Sequence, residues 1–198
     1  MLISKLGNFI FKQALLFLNQ LDDLFPGSHL KVSINVSILE LLRGDYIDHI
    51  KNTVKECHIS PKRIELEVTE SVFEEKFDLA NSIMGDLRRL GFTVALDDFG
   101  KGYSSFYRLR EMNMDTIKID KCFVDKINKT NTDEFIIDEI IALSHKLGLK
   151  VVGEGVESIE QVIYLKANMC DFLQGYYLSK PLKAPDLIRF IKAHSLKD

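Results

Sequence analysis

Short apolar runs alternate with longer amphipathic segments along the chain. The short runs are rich in Val, Ile and Leu and are often preceded by a Pro or Gly turn, which is typical of buried β-strands. They predict strands at Lys31–Asn35, Arg63–Val68, Phe92–Asp97, Thr116–Ile119, Leu149–Gly153 and Cys170–Leu173. Helical spacing of the apolar residues predicts helices at Leu6–Leu24, Asp45–Cys57, Phe77–Leu90, Asp133–Leu147, Ile159–Ala167 and Pro185–His194. This alternation predicts an α/β protein in which helices cover a parallel sheet.

The number of strand–helix units limits the choice of fold. A closed barrel of eight such units takes about 250 residues, so a chain of 198 residues is short of one by about two strands. An open doubly wound sheet fits the length, but its nucleotide-binding forms carry a Gly-rich turn after the first strand, and none follows Asn35. Since no Pro-, Gly- or Ser-rich stretch marks a linker, we predict one domain over residues 1–198.

Composition and charge argue against several classes of function. The formal net charge of -3 gives no reason to expect a nucleic-acid polymer as partner. The three cysteines, Cys57, Cys122 and Cys170, follow no metal-binding or disulfide spacing, so we expect reduced thiols in a cytoplasmic protein. No run approaches the roughly 20 apolar residues of a membrane span. Lys12 and Gln13 interrupt the apolar start, which favours an amphipathic helix over a signal peptide.

Polar residues that can bind metal or phosphate stand at the carboxyl end of every predicted strand. They are Asn35, Glu67 with Glu70, Asp97 with Asp98, Asp120, Glu154 with Glu157, and Gln174. Each alone is explained as a helix cap or turn residue. Together they favour a site, because the carboxyl ends of the strands in βα folds converge on one face.

The chemistry of these residues indicates a metal-dependent reaction. Asn35, Glu67, Asp97 and Asp98 offer only hard oxygen atoms, which suit Mg²⁺ or Mn²⁺. Two such ions about 4 Å apart would relieve the repulsion between adjacent carboxylates, activate water and neutralise a phosphoryl oxygen. Lys118 on the neighbouring strand is a candidate for orienting that water, and its alternative role is a salt bridge to Asp97 or Asp98.

Six motifs in this order resemble the EAL family of cyclic-di-GMP phosphodiesterase domains. They are Asn35-Val36-Ser37, Glu67-Val68-Thr69-Glu70-Ser71, Asp97 to Ser105 with Gly100-Lys101-Gly102, Lys118-Ile119-Asp120, Glu154-Gly155-Val156-Glu157 and Gln174-Gly175-Tyr176. The resemblance implies a modified (β/α)8 barrel of the TIM type. It also implies hydrolysis of cyclic di-GMP to linear pGpG with two Mg²⁺ or Mn²⁺ ions, in bacterial second-messenger signalling.

The resemblance also assigns roles to individual residues. It places the metal ions on Asn35, Glu67, Asp97, Asp98 and Glu154, and the substrate on Asp120, Glu157 and Gln174. Lys118 would hold the catalytic water beside Glu154 and Asp98. Glu70 would brace the loop that begins at Asp98.

The Glu-Ala-Leu tripeptide of the family, which supplies a metal ligand, occurs nowhere in the sequence. We therefore expect a domain that lacks about two N-terminal strands and has weak or no activity. The alternatives are an inactive module that binds cyclic di-GMP or a protein, and an unrelated metal-dependent barrel enzyme. The gap left by the two absent strands would expose strand edges and apolar side chains, so we expect a homodimer or larger assembly. Sensory or cyclase domains in a longer protein are a further expectation.

Overall fold

The computed structural model describes residues 2–70, 76–100, 106–127 and 131–194. Six parallel strands form one sheet in the order β1-β2-β3-β4-β5-β6. Their bounds are Val32–Asn35 (β1), Ile64–Thr69 (β2), Thr93–Phe99 (β3), Thr116–Ile119 (β4), Lys150–Gly153 (β5) and Phe172–Leu173 (β6). All six predicted strands are confirmed: the bounds of β4 are unchanged, and those of the others shift by one or two residues.

Nine α-helices lie within the described residues. They are Leu2–Leu24 (α1), Ile38–Leu41 (α2), Tyr46–Glu56 (α3), Phe77–Arg89 (α4), Phe106–Leu109 (α5), Lys121–Val124 (α6), Asn131–Lys146 (α7), Ile159–Ala167 (α8) and Ala184–His194 (α9). The six helices expected from periodicity are confirmed. The prediction missed α2, α5 and α6, because a four-residue helix is too short to show a repeat.

The sheet is curled, and its two faces differ in polarity. One cavity of about 860 Å³ is lined by residues of all six strands, so the strands wrap around it. Residues that point away from the cavity, such as Leu66, Leu96 and Ile117, are almost fully buried beneath the helices. Residues that point into it, such as Glu67 and Lys118, are polar. Strands β2 and β4 thus alternate an apolar convex side with a polar concave side, whereas β5 and β6 also place the apolar residues Val152 and Phe172 in the cavity lining.

The sheet is not closed within the described residues, since β1 and β6 each pair with one neighbour. This agrees with the expected barrel that lacks about two strands and excludes the doubly wound alternative, in which strand order would reverse. No helix within the described residues combines the length and hydropathy needed to cross a membrane.

Glycine allows the loops after β5 and β6 to meet. The backbone N–H of Val156 donates to the carbonyl of Gln174 at 3.0 Å, and that of Tyr177 donates to the carbonyl of Val156 at 2.9 Å. A Cβ atom on Gly175 would stand 2.1 Å from the Val156 oxygen. The contact is with backbone atoms that cannot rotate away, so this close approach requires glycine.

We expect Gly175→Ala to lower the free energy of unfolding by about 1–3 kcal/mol, the usual cost of an inserted methyl group in a packed region. Gly44 is the matched control, since a Cβ there would meet nothing within 4 Å. Gly44→Ala should leave stability unchanged or raise it by up to about 1 kcal/mol. Urea denaturation of both variants measures the difference, and equal midpoints would contradict the packing argument.

An ion pair fastens α1 to the start of β2. The Arg63 guanidinium donates to the Asp22 carboxylate at 2.6 Å and to the carbonyl of Leu30 at 2.8 Å. The hydrogen bond from Arg63 lowers the pKa of Asp22 below its ordinary value. A lowered folded-state pKa stabilises the protein at pH values above the unfolded pKa, and this stabilisation is lost as pH falls through the folded pKa.

We therefore expect Asp22→Asn to reduce the free energy of unfolding at pH 7 by up to about 1 kcal/mol, since the pair is partly exposed. The difference from the unchanged protein should shrink as the pH falls below the ordinary Asp value of 3.8. Glu111→Gln is the control, because Glu111 is exposed and forms no ion pair with any described residue. A difference that is constant between pH 7 and pH 3 would rule out this account.

Candidate metal and catalytic centre

One lysine lies at the centre of the concave face, surrounded by acidic side chains. The Lys118 Nζ atom is 2.9 Å from Glu67 Oε1, 3.0 Å from Asp97 Oδ1 and 2.7 Å from Glu154 Oε1. The four residues come from β2, β3, β4 and the residue after β5, which neighbour one another in the sheet. The parallel sheet therefore brings together residues that are far apart in sequence. The alternative role of Lys118, a salt bridge to Asp97, is what the structure shows.

Burial and the neighbouring charges shift the pKa values of Glu67, Glu154 and Lys118 in opposite directions. Burial raises the pKa of Glu67 and of Glu154 above the ordinary value, although hydrogen bonds from Lys118 pull both downward. Burial alone would lower the pKa of Lys118, but its contacts with Glu154 and Glu67 raise it. The Lys118 ammonium is thus held charged, whereas Glu67 and Glu154 bind a proton more readily than exposed glutamates do. One positive charge does not balance the acidic residues gathered here.

An irregularity in β3 turns two consecutive carboxylates toward the same space. The register with β4 shifts between Leu96 and Phe99, and Asp98 has a positive φ of 56°. In a regular strand Asp97 and Asp98 would point to opposite faces. Here one carboxylate oxygen from each of Asp97, Asp98 and Glu154 lies within 4.8 Å of the other two. This places adjacent acids in one cluster, at the cost of a strained backbone at Asp98.

Asn35 is the last residue of β1 and Gln174 follows β6, and β1 and β6 are the two outer strands of the sheet. Asn35 is in register with Glu67, so the two side chains leave the same face. Gln174 follows β6, and its backbone N–H donates to the carbonyl of Gly153 at 2.9 Å. Both residues are exposed, and neither side-chain amide has a hydrogen-bond partner among the described residues. These amides are therefore available to a ligand placed over the carboxylates.

Glu70 supports the end of β3 and does not join the cluster. It is buried, and its Oε2 accepts a hydrogen bond from the backbone N–H of Gly100 at 3.3 Å. Gly100 has a φ of 101°, and a Cβ atom there would stand 2.1 Å from the Phe123 ring. Glu70 thus fixes the chain at the point where the loop begins. Residues 101–105, which complete the predicted glycine loop, lie outside the described residues.

Asp120 and Glu157 lie outside the carboxylate cluster and have local partners. The Asp120 carboxylate accepts from the backbone N–H of Cys122 at 2.9 Å and caps α6. Glu157 pairs with Lys121 at 3.0 Å, and Lys121 also pairs with Asp125 at 2.7 Å. The structure therefore gives Asp120 the helix-cap role weighed in the sequence analysis, and it gives Glu157 an ion pair that the sequence analysis did not predict. Their role in substrate binding stays a prediction.

The sequence reasoning missed a second polar layer on the concave face. Glu65 accepts hydrogen bonds from Ser33 and Thr116, each at 3.0 Å. These three residues come two positions before Asn35, Glu67 and Lys118 on the same strands, so the period-two repeat of a strand was the signal that could have revealed them. This layer lies next to Asn35, Glu67 and Lys118, on the side nearer the amino ends of the strands. It also lines the cavity, which runs from Glu67 toward the amino ends of the strands.

The donor set fits a divalent metal ion. Asp97, Asp98 and Glu154 supply close carboxylate oxygens without any His or Cys, and Mg²⁺ and Mn²⁺ favour such ligands. Glu67 and Asn35 border the group on β2 and β1 and add further oxygen atoms. The surplus of negative charge around one ammonium also favours a cation.

Comparison with known proteins places this arrangement in a family. The family model described as the EAL domain matches residues 1–181. The chain is 34% identical over 193 residues to the cyclic di-GMP phosphodiesterase NbdA of Pseudomonas aeruginosa, covering 98% of this chain and 24% of that protein. The chain thus spans about a quarter of that relative's length.

Solved structures agree with this match. The phosphodiesterase PaMucR in complex with c-di-GMP superposes with a TM-score of 0.87 at 31% identity, over 94% of this chain and 75% of that one. The manganese and cy-diGMP complex of BlrP1 from Klebsiella pneumoniae superposes with a TM-score of 0.81 at 27% identity, over 90% of this chain and 45% of that one. On this sequence match and this shared fold, the chain belongs to the EAL domain family.

Proposed function

We propose that this chain hydrolyses cyclic di-GMP to linear pGpG with bound Mg²⁺ or Mn²⁺. The observation that carries the proposal is the Lys118 ammonium within 3.0 Å of three carboxylates from three neighbouring parts of the sheet. The names of NbdA and PaMucR, which describe phosphodiesterases, support the choice of substrate. A bacterial second-messenger role follows from that substrate.

The proposed reaction is attack of water on one of the two phosphodiesters. The water oxygen bonds to phosphorus, the bond from phosphorus to the ribose 3′-oxygen breaks, and that oxygen takes up a proton. The ring opens to a linear dinucleotide with a 5′-phosphate. Bound metal ions would lower the pKa of the water and offset charge on the phosphoryl oxygens.

Metal binding and orientation of the attacking water fall to different residues. Asn35, Glu67, Asp97, Asp98 and Glu154 hold the cations through oxygen atoms. Lys118 orients the attacking water and offsets the charge that develops on the phosphoryl group. Its three contacts fix the ammonium before substrate arrives, so little reorganisation is needed during the reaction.

Other residues position the substrate and the loop. Gln174, with an unengaged amide at the outer strand, contacts the dinucleotide. Asp120 and Glu157 take part in substrate binding once the dinucleotide displaces their local contacts. Glu70, which accepts from the N–H of Gly100, keeps the loop after Asp98 in place.

A second candidate is a module that binds cyclic di-GMP without hydrolysing it. It is favoured by the same ammonium, which already neutralises part of the acidic cluster and so keeps the site assembled without a metal ion. Asn35 and Gln174 would then bind the ligand alone. The cytoplasmic location and the presence of further domains in a longer protein remain predictions.

Incubation of the chain with cyclic di-GMP and Mn²⁺, followed by chromatography of pGpG, tests the enzymatic proposal. We expect weak turnover, because the metal ligand of the Glu-Ala-Leu tripeptide is absent from the sequence. We expect Asp97→Asn and Glu154→Gln to reduce this turnover by at least about 100-fold, because each removes a further metal ligand. Glu111→Gln, at an exposed residue outside the carboxylate cluster, should retain full turnover. Calorimetric binding of cyclic di-GMP without product would favour the second candidate, and neither binding nor product would refute both.

Replacement of Lys118 separates its catalytic role from its structural one. Lys118→Met leaves the buried carboxylates without their cation, which typically costs about 3–5 kcal/mol of stability. In the presence of a chelator, we expect Lys118→Met to have a lower Tm than the unchanged protein. Adding Mn²⁺ should raise the Tm of the variant more than that of the unchanged protein. The variant should show no turnover at saturating Mn²⁺.

Turnover restored by Mn²⁺ in the Lys118→Met variant would mean that the lysine only balances charge. A Tm that does not respond to Mn²⁺ in either protein would contradict the metal site itself.

A further inference from the structure

Two side-chain contacts on the concave face join strands that are not neighbours. The Oε1 atom of Glu67 on β2 lies 2.9 Å from the Nζ atom of Lys118 on β4. The hydroxyl of Thr116 on β4 donates a hydrogen bond to Oε2 of Glu65 on β2 at 3.0 Å. Strand β3 lies between β2 and β4. Since neighbouring strands are about 4.8 Å apart, each contact crosses β3 and spans roughly 9–10 Å of sheet.

Ala95 is the residue of β3 over which both contacts pass. It is in register with Glu67 on one side and with Thr116 on the other, so the three side chains leave the same face of the sheet. The residues before and after it on that face, Thr93 and Asp97, are partly exposed, whereas Ala95 has no exposed surface. The side chains that cross from β2 to β4 therefore cover Ala95.

The size of the side chain at position 95 decides whether this crossing is possible. Side chains of a strand stand roughly perpendicular to the sheet, so a longer one at position 95 would rise into the path of the crossing groups. The single methyl group of Ala95 stays beneath them. A valine would add two methyl groups to a space that is already covered, and packed side chains do not absorb such groups without moving.

The crossing contacts set the place of Glu67 and Lys118 in the acidic centre. Glu67 can reach the ammonium only by passing over β3, and the same ammonium also holds Asp97 and Glu154. The contact between Glu65 and Thr116 crosses at the adjacent polar layer and ties the same two strands together. A side chain that blocked the crossing would therefore move Glu67 away from the other carboxylates.

We propose that Ala95 is a positioning residue of the metal centre, because its small side chain opens the path by which Glu67 meets Lys118 and Glu65 meets Thr116. Ala95 acts through these contacts and touches no metal ion itself. This role rests on the proposed metal site for its effect on Mn²⁺ binding, whereas the crossing contacts can be measured in the presence of a chelator.

A double-mutant cycle in chelator tests the crossing itself. Glu65→Ala and Thr116→Val each remove one partner of the same hydrogen bond, so their shifts of the urea midpoint should be less than additive. In the Ala95→Val background the two shifts should be additive, because the bond is already broken there. The same non-additivity in both backgrounds would overturn the proposal.

Calorimetric titration with Mn²⁺ tests the effect on the centre. We expect Ala95→Val to raise the dissociation constant for Mn²⁺ about tenfold or more, as changes beside metal ligands commonly do. Ala95→Gly leaves the path open and should bind Mn²⁺ as the unchanged protein does. Val94→Ile is the matched control: Val94 is fully buried on the convex side of β3, so the added methyl group should lower stability without changing the affinity for Mn²⁺.

Equal affinities of Ala95→Val and the unchanged protein would refute the positioning role. So would an equal loss of affinity in Val94→Ile, since general destabilisation would then explain both. If the unchanged protein bound no Mn²⁺, the proposed metal site would be wrong, and the cycle in chelator would decide the role of Ala95 by itself. Ala95→Cys, which adds one heavy atom, takes the place of Ala95→Val in both measurements if the valine variant does not fold.

Discussion

The Lys118 ammonium determines how the acidic centre is assembled. Carboxylates brought together on a half-buried face repel one another and lose hydration, so they do not stay ionised in one place without a nearby cation. Lys118 is almost fully buried and reaches Glu67, Asp97 and Glu154 at once. The contact ties β2, β3 and the end of β5 to β4. Removing one partner would leave a buried charge unpaired, so the site and the sheet are stabilised together.

The backbone around this ion cluster is shaped by a few special positions. The bulge in β3 and the positive φ of Asp98 direct two adjacent carboxylates to one side, which regular strand geometry forbids. Gly175 allows the loop after β6 to contact Val156, so that Gln174 and Glu154 are held at a fixed separation by backbone hydrogen bonds. The bulge and the positive φ of Asp98 depart from local backbone preferences, and both they and Gly175 lie next to candidate functional side chains.

The elements of the fold could be predicted from sequence because their signals are local. Strands such as Thr116–Ile119 and the periodic helices can be recognised from short stretches of consecutive residues. The convergence of Glu67, Asp97, Lys118 and Glu154 followed from parallel topology, which places all carboxyl ends at one edge. Partner identity did not follow, because it depends on distances between strands. Sequence alone could not show that Glu157 meets Lys121, or that Glu65 joins Ser33 to Thr116.

Helix α1 and the acidic centre lie on opposite sides of the sheet, yet a short path of contacts joins them. Glu40 packs against the backbone of Gly7 in α1, and its carboxylate accepts from the backbone N–H and the hydroxyl of Ser37. Ser37 comes two residues after Asn35, which faces the carboxylates from β1. The position of α1 therefore helps to fix the support of Asn35. Because β1 pairs with β2 alone within the described sheet, this support matters more for Asn35 than for residues on inner strands. The packing of α1 thus acts on the site by restricting a candidate ligand on an edge strand, without adding a residue to it.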